Sequence, residues 1–516
     1  MPKNLKFSHS GQFLSFLSRP VLACGWFLST PFVKIGGLET DRRAEVFPFV
    51  SWEINKLTNF RAIFAAYLRQ CTNMKTVYTN KEIWKIAYPC LVSLVMEQLI
   101  GMTDTAFLGR VGEVELGASA IAGVYYMVIF MMGFGFSAGA QIIMARRNGE
   151  QNYKEIGSIF YHGLYFLLGF AVVMFALSKW ISPLLLERII DDPAICAAAE
   201  SYIDWRIFGF FFSFAAAMFR AFYIGTTQTK TLTLNSVVMV LSNVVFNYVL
   251  VFGKLGLPAL GIAGAAIGSS LCELVSLVFF IVYTRRRIDC EKYGLNRRIR
   301  FRVRTLRNIF KVSLWTMIQS FLTLSTWFLF FLFVEHLGTE PLAISNVVRS
   351  VSGFLYMIVA AFGATCGSLV SNLIGAGKTE AVRPTILQHV RLCYLFALVP
   401  ALFIALFPQV VISIYTNIPE LQTGAVASLR VLCSAYLIYV PGIIFFQSIS
   451  GTGNTRMGFL LEVVGQIIYV VYCVVLIHHF RVDVAICWTT EHVYGLSLFL
   501  FCWLYIRSGR WKGISV

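Results

Sequence analysis

Residues 116 to 145 run without a single charged side chain. No amphipathic helix or half-buried strand of a water-soluble domain reads this way, because each must turn a polar face to solvent. The stretch is long enough to cross a hydrocarbon layer, which takes about 20 mostly apolar residues in a helix, and similar stretches recur along the chain. Only 13% of the 516 residues are charged and the mean hydropathy is +0.71, whereas a soluble domain is roughly a quarter charged. The apolar runs predict spans at 83–108, 117–144, 155–180, 202–224, 231–253, 260–284, 308–334, 341–373, 386–408, 425–450, 457–478 and 484–507. The expected fold is therefore an all-α integral membrane protein of twelve transmembrane helices.

The formal net charge of +17 does not imply nucleic acid, because it collects between the apolar runs instead of on a compact soluble face. Short loops rich in Lys and Arg resist translocation. Arg146, Arg147, Lys154, Lys230, Lys378, Arg383, Arg456 and the tail bases Arg507, Arg510 and Lys512 all fall on one side of the predicted spans. So does the most basic segment, from Arg285 through Lys292 to Arg307. That side is expected to be the cytoplasm, with both termini there and the protein in the cell inner membrane.

The chain repeats itself. FLGRVG at 107–112 with Ser119 resembles FVEHLG at 333–338 with Ser345, and GTTQTK at 225–230 resembles GTGNTR at 451–456, both at an offset of 226. Gly135, Gly139 and Gly149 match Gly363, Gly367 and Gly377 at 228. Six spans per repeat give two bundles of like orientation, related by a pseudo-twofold axis along the membrane normal. The expected division is a leader at 1–82, a six-helix bundle at 83–284, a basic linker at 285–307 and a second bundle at 308–508. The leader's apolar segment at 21–33 is too short to span and contains Pro31, so Met74 is an alternative start.

Ionisable side chains at membrane depth are costly and tend to be functional. Span one carries Glu97 and Asp104, seven residues apart and so on nearly one helical face. Span six carries Glu273 beside Ser269 and Ser270, and span twelve carries Glu491 and His492. The stripe of span one either faces a cavity or leaves Asp104 at the outer interface beside Thr105, and Glu273 and Glu491 are each either a proton carrier or a buried acid satisfied by nearby hydroxyls. Asn243 and Asn247 in span five point the same way, placed to bridge a carboxylate or to tie helices together. Arg349 falls inside span eight, where pairing with an acid is expected ahead of meeting an anionic substrate group; Arg220 is near the inner end of span four. Tyr125, Tyr126, Met127, Met131, Met132, Phe134, Tyr436 and Tyr439 suit a site for lipophilic cations, or plain packing.

The 12 cysteines include no CxxC pair, so neither a zinc site nor a disulfide framework is expected. Nucleotide-binding and hydrolytic motifs are missing too. No cofactor or metal is expected, and energy must come from an ion gradient or from nothing.

These residues resemble the multidrug and toxic compound extrusion (MATE) family across 83–510. The resemblance rests on Pro89, TDTAFLGRVG at 103–112, the segment from Gly139 to Gly149, GTTQTK at 225–230, NVVFNYVLVFG at 243–253 and LGIAGAA at 260–266. The form of the first-helix motif is similar to the DinF-like branch. The resemblance implies that Asp104 couples ion binding to substrate release, that Asn243 matches the fifth-helix Asn, and that Asn247 stands where an Asp is common. The expected function is antiport of small organic, cationic or amphiphilic compounds for H⁺ or Na⁺ by a monomer in the lipid bilayer, not enzymatic catalysis. A lipid or lipid-linked sugar flippase and a membrane-embedded enzyme are the alternatives.

Overall fold

Water is absent from a bilayer core, so every backbone N–H and C=O must find its partner within the same segment, and helices answer that demand. A computed structural model describes residues 77–296, 300–416 and 418–514; the leader and its alternative start at Met74 lie outside the described residues up to residue 76. The first half contains α1 (Asn80–Leu108), α2 (Glu113–Gly149), α3 (Tyr153–Ile189), α4 (Pro193–Arg206), α5 (Gly209–Gly225), α6 (Lys230–Phe252) and α7 (Gly261–Arg287). The second contains α8 (Val303–Glu335), α9 (Thr339–Gly375), α10 (Val382–Leu406), α11 (Pro408–Ile412), α12 (Pro419–Gly451), α13 (Thr455–Cys473), α14 (Val484–Cys487) and α15 (Thr490–Ser508). A π-helical turn, Val474–His479, follows α13.

Among the described residues, eleven helices are long and apolar enough to cross a membrane, and the bent pair α4–α5 makes the twelfth span. That span differs from the expected 202–224. Its helix starts nine residues earlier, where Asp192 accepts a hydrogen bond from the Ala194 N–H at 2.8 Å and Pro193 takes the first helical position, a favoured start because proline has no N–H to leave unpaired. It then bends by 50° after Arg206.

Both halves pack alike. α1 lies on α6 as α8 lies on α13, α2 on α5 as α9 on α12, and α5 on α7 as α12 on α15. Across the halves, α1 packs on α9 and α8 on α2, which is the reciprocal exchange a twofold axis requires. The structure also corrects the register of the glycine match. A Cβ on Gly149 would lie 2.0 Å from the Asn372 carbonyl oxygen, and one on Gly375 2.2 Å from that of Arg146. These two contacts are images of each other at 226 residues, so Gly149 corresponds to Gly375 and not to Gly377. The left-handed residues Gln151 and Thr227 have their counterparts in Gly377 and Gly453 at the same offset.

Those glycines belong to a seal between the halves at the end carrying the basic loops. A Cβ at Gly135 would strike the Thr316 carbonyl and one at Gly139 would strike Ser313. Gln141 Nε2 donates to Ser368 at 2.8 Å, Asn148 Nδ2 to Asn372 Oδ1 at 2.6 Å, and Ser371 Oγ to the Ile142 carbonyl at 2.8 Å. Small residues admit this close backbone approach, and the amides add specificity. Toward the other end the same helices part. Ile121, Val124 and Met127 of α2 and Phe354 and Tyr356 of α9 are exposed, and Gly117, Gly123 and Gly353 face open space. The result is a cleft open at one end and closed at the other.

The basic segment joining the halves is pinned at the closed end. Gln228 donates to the Tyr293 hydroxyl at 2.8 Å, Tyr161 donates to the Leu295 carbonyl at 2.5 Å, and the Arg302 N–H donates to His162 Nε2 at 2.8 Å.

Candidate functional site

The acids of the first half are brought together by three helices. Asp104, near the end of α1, accepts hydrogen bonds from Asn243 Nδ2 at 2.9 Å, Asn247 Nδ2 at 2.6 Å and Ser269 Oγ at 2.9 Å. The two amides share a face of α6 because they are one turn apart, and Ser269 comes from α7. Asp104 enters no ion pair among the described residues. Its hydrogen bonds come from neutral donors alone, all from other helices.

Glu273 lies one turn beyond Ser269 on α7 and is buried. Neighbouring serines do not satisfy it: Ser269 turns to Asp104 and Ser270 to the Trp205 carbonyl. Its partners are Arg206, at 2.6 Å, and the Tyr126 hydroxyl, at 3.0 Å, and the guanidinium stacks 3.6 Å above the Tyr126 ring. Arg206 is the residue at the bend of span four. A Cβ on Gly209, just past the bend, would sit 2.3 Å from the guanidinium and 2.4 Å from the carboxylate, so the broken helix and its glycine make the space that the ion pair fills. Sequence reasoning missed Arg206; the available signal was an arginine inside an apolar run, which demands an acid.

Glu97 does not join Asp104, although both lie on one stripe of α1. It pairs with Arg220 of α5 and accepts from Ser93 at 3.4 Å, reaching into the cleft with its side chain 43% exposed. Arg349 meets no acid among the described residues, contrary to the expected pairing; it lies over the rings of Trp327, at 5.8 Å, and Phe331, at 5.5 Å. His492 contacts Ser434 at 2.9 Å.

The second half has its own buried acid, Glu462 of α13, which sequence reasoning also passed over. Thr323 of α8, Gln466 at 3.1 Å and Tyr494 of α15 at 3.4 Å all donate to one of its oxygens. Glu491 lies within electrostatic reach of Tyr436, Tyr439, Tyr469 and Tyr494.

Two like bundles, closed on each other at one end, parted at the other and carrying carboxylates inside, have the build of a membrane carrier. The MatE family model matches residues 89–249 and 316–475, one segment in each half, and the chain belongs to that family: it is a membrane transporter and not an enzyme. Relatives include the probable multidrug resistance protein NorM of Thermotoga maritima, 23% identical over 85% of this chain and 94% of that protein. The protein of the same name from Synechocystis is 25% identical over 67% of this chain and 75% of its own length. Among solved structures, the eukaryotic MATE transporter AtDTX14 shares the fold with a TM-score of 0.74 at 18% identity, over 86% of this chain and 97% of that one. An outward-facing multidrug resistance MATE transporter of the MOP superfamily matches with a TM-score of 0.76 at 16% identity, over 86% of this chain and all of that one.

Proposed function

We propose that this transporter exports small organic cations or amphiphiles in exchange for H⁺ or Na⁺, with Asp104 as the exchanging carboxylate. The observation that carries the reading is the set of three neutral donors around Asp104. The ionised carboxylate accepts from all three and so ties α1 to α6 and α7. Protonation turns one oxygen into a donor, and at least one of the three bonds must then break or reverse. Asn247 Oδ1 is buried without a partner, and rotation of that amide presents an acceptor to the new O–H. Loading Asp104 with a cation thus changes how α1 is held, and α1 also packs on α9 of the other bundle. This supplies the two-state element that a coupled cycle needs.

The basic end is the cytoplasmic end in this reading, so both termini are cytoplasmic and the cleft opens outward from a cell inner membrane, where substrate is released from a monomer. The names of the NorM relatives support drug-like substrates. A lipid flippase is the second reading, favoured only by Arg349, a guanidinium that meets no acid among the described residues.

The test is efflux of ethidium from cells expressing the protein, with proton and sodium gradients collapsed separately. Asp104→Asn nearly preserves shape while removing the charge; efflux is expected to fall at least about tenfold at unchanged membrane abundance, a loss of about 1.4 kcal/mol or more of coupling. Wild-type export by Asp104→Asn across several pH and sodium values overturns the assignment.

A further inference from the structure

Helix α7 has two faces with different employment. One face packs on α4, α5 and α6: Glu273 meets Arg206, Thr284 meets Tyr223 at 2.6 Å, and Ser276 accepts from Asn235 at 2.9 Å. The other carries Val275, Val278, Phe279 and Val282, which line a groove that ends at Tyr283, Arg286 and Arg287. Steps of three and four residues keep all seven on one stripe. Val278 and Val282 are 49% and 43% exposed, and in a spanning helix such side chains meet acyl chains.

The basic end of this groove is left without acids. Elsewhere the arginines that flank or enter the first bundle are paired, Arg147 with Glu150 and Glu155, Arg206 with Glu273 and Arg220 with Glu97. Arg286 and Arg287 enter no ion pair among the described residues. The acid that follows them, Asp289, is taken by the Lys292 backbone N–H at 2.9 Å, and Arg285 turns to the neighbourhood of Tyr161 and Cys290. Tyr283 stacks on Phe279 at 5.6 Å, with its hydroxyl at the level where tyrosines of spanning helices meet headgroups. The linker adds exposed Arg300, Arg302 and Arg304, interleaved with exposed Phe301 and Val303, and the Arg302 N–H on His162 of α3 keeps them at the same end of the bundle.

We propose that Arg286, Arg287 and Tyr283 bind the phosphate of one anionic phospholipid whose acyl chain lies along Val275, Val278, Phe279 and Val282. The dimensions agree. Eleven residues from Val275 to Arg286 rise about 16 Å at roughly 1.5 Å each, and one leaflet supplies half of a hydrocarbon core of about 30 Å. Guanidinium groups match phosphate oxygens in geometry and charge, and basic clusters at the end of a span select anionic headgroups. A zwitterionic headgroup would bring its own cation against two guanidiniums. The site lies on the outside of the first bundle and is independent of the exchange at Asp104.

The test titrates the purified full chain in detergent with phosphatidylglycerol, or with phosphatidylcholine of the same acyl chains, and counts bound lipids by native mass spectrometry. Wild type should bind one phosphatidylglycerol more tightly than any phosphatidylcholine, and excess inorganic phosphate should leave it in place. Arg286→Gln and Arg287→Gln should each weaken phosphatidylglycerol about fivefold and together about thirtyfold, from about 1 kcal/mol per base at an anionic surface, with phosphatidylcholine unaffected. Val282→Asn, in the path of the chain, should weaken both lipids by the same factor. The single variants carry the test if the double variant does not fold, as judged by gel filtration. Equal affinity of wild type for the two lipids overturns the proposal, as does undiminished phosphatidylglycerol binding in the arginine variants or displacement by inorganic phosphate. A protein dimer that forms in place of the lipid complex and is lost in Arg286→Gln also overturns it, because a second copy then occupies the groove.

Discussion

The two bundles share a helix-packing plan but handle buried charge in opposite ways. In the first, Glu273 is locked to Arg206 and Tyr126, and Glu97 to Arg220. In the second, Glu462 and Glu491 enter no ion pair among the described residues and stand among tyrosines. A duplicated backbone thus carries one compensated polar core and one uncompensated core. The compensated core defines a fixed geometry around its one unpaired acid, Asp104.

Removing the compensation should give the largest effect. Arg206→Met strips the guanidinium from a nearly dry ion pair and leaves Glu273 buried against Gly209 and Tyr126. Breaking such a pair from one side costs about 3–5 kcal/mol, whereas replacing both partners costs far less. Arg206→Met is therefore expected to lower the unfolding free energy in micelles by several kcal/mol, and Arg206→Met with Glu273→Gln to recover most of it. If the double variant is as unstable as the single one, the pair does not compensate Glu273 and the contrast between the bundles weakens.

A smaller effect is expected at the twofold seal. Gly375→Val drives its side chain into the Arg146 carbonyl, and Gly149→Val into that of Asn372. Overpacking of this kind costs about 1–3 kcal/mol, and here the closed arrangement bears it. Spin labels at residues 152 and 378, both exposed at the closed end, should move apart in either variant by similar amounts. Lengthening in one variant only would mean that the seal does not share the symmetry of its contacts.

Legibility in the sequence followed the range of the interactions. The spans were readable because hydropathy is summed over many neighbours, and the meeting of Asn243 and Asn247 followed from helical periodicity on a single helix. Glu273 was readable as a buried acid but not its partner: periodicity does not say that Ser269 turns to Asp104 while an arginine from another helix takes its place. Arg206 escaped notice because the bend of span four depends on a tertiary contact, the fit of the ion pair over Gly209. Glu462 was hidden in the apolar run 457–478 near one end, where an acid reads as interfacial; only the packing of α8 and α15 on α13 buries it. The glycine match at 228 residues failed for a related reason, since spacing alone cannot distinguish Gly375 from Gly377 until Arg146 shows which one the other bundle touches.

The smallest effect should come from Glu97→Gln, which tests whether every ion pair of the first bundle counts as compensation. Glu97 and Arg220 link helices α1 and α5, but the carboxylate faces the cleft with 43% of its side chain exposed, against 10% for Glu273. Water screens such a pair, and exposed pairs contribute about 0–1 kcal/mol. The Gln amide can still accept from Arg220, which also lies 5.8 Å from the Phe134 ring. A double-mutant cycle with Arg220→Gln should therefore give a coupling energy below about 1 kcal/mol, and ethidium efflux by Glu97→Gln should stay within about threefold of wild type, a change worth about 0.6 kcal/mol. An efflux loss as deep as that of Asp104→Asn, at unchanged stability, would move Glu97 from the compensated acids to the exchanging ones and give the first bundle two cation sites on one stripe of α1.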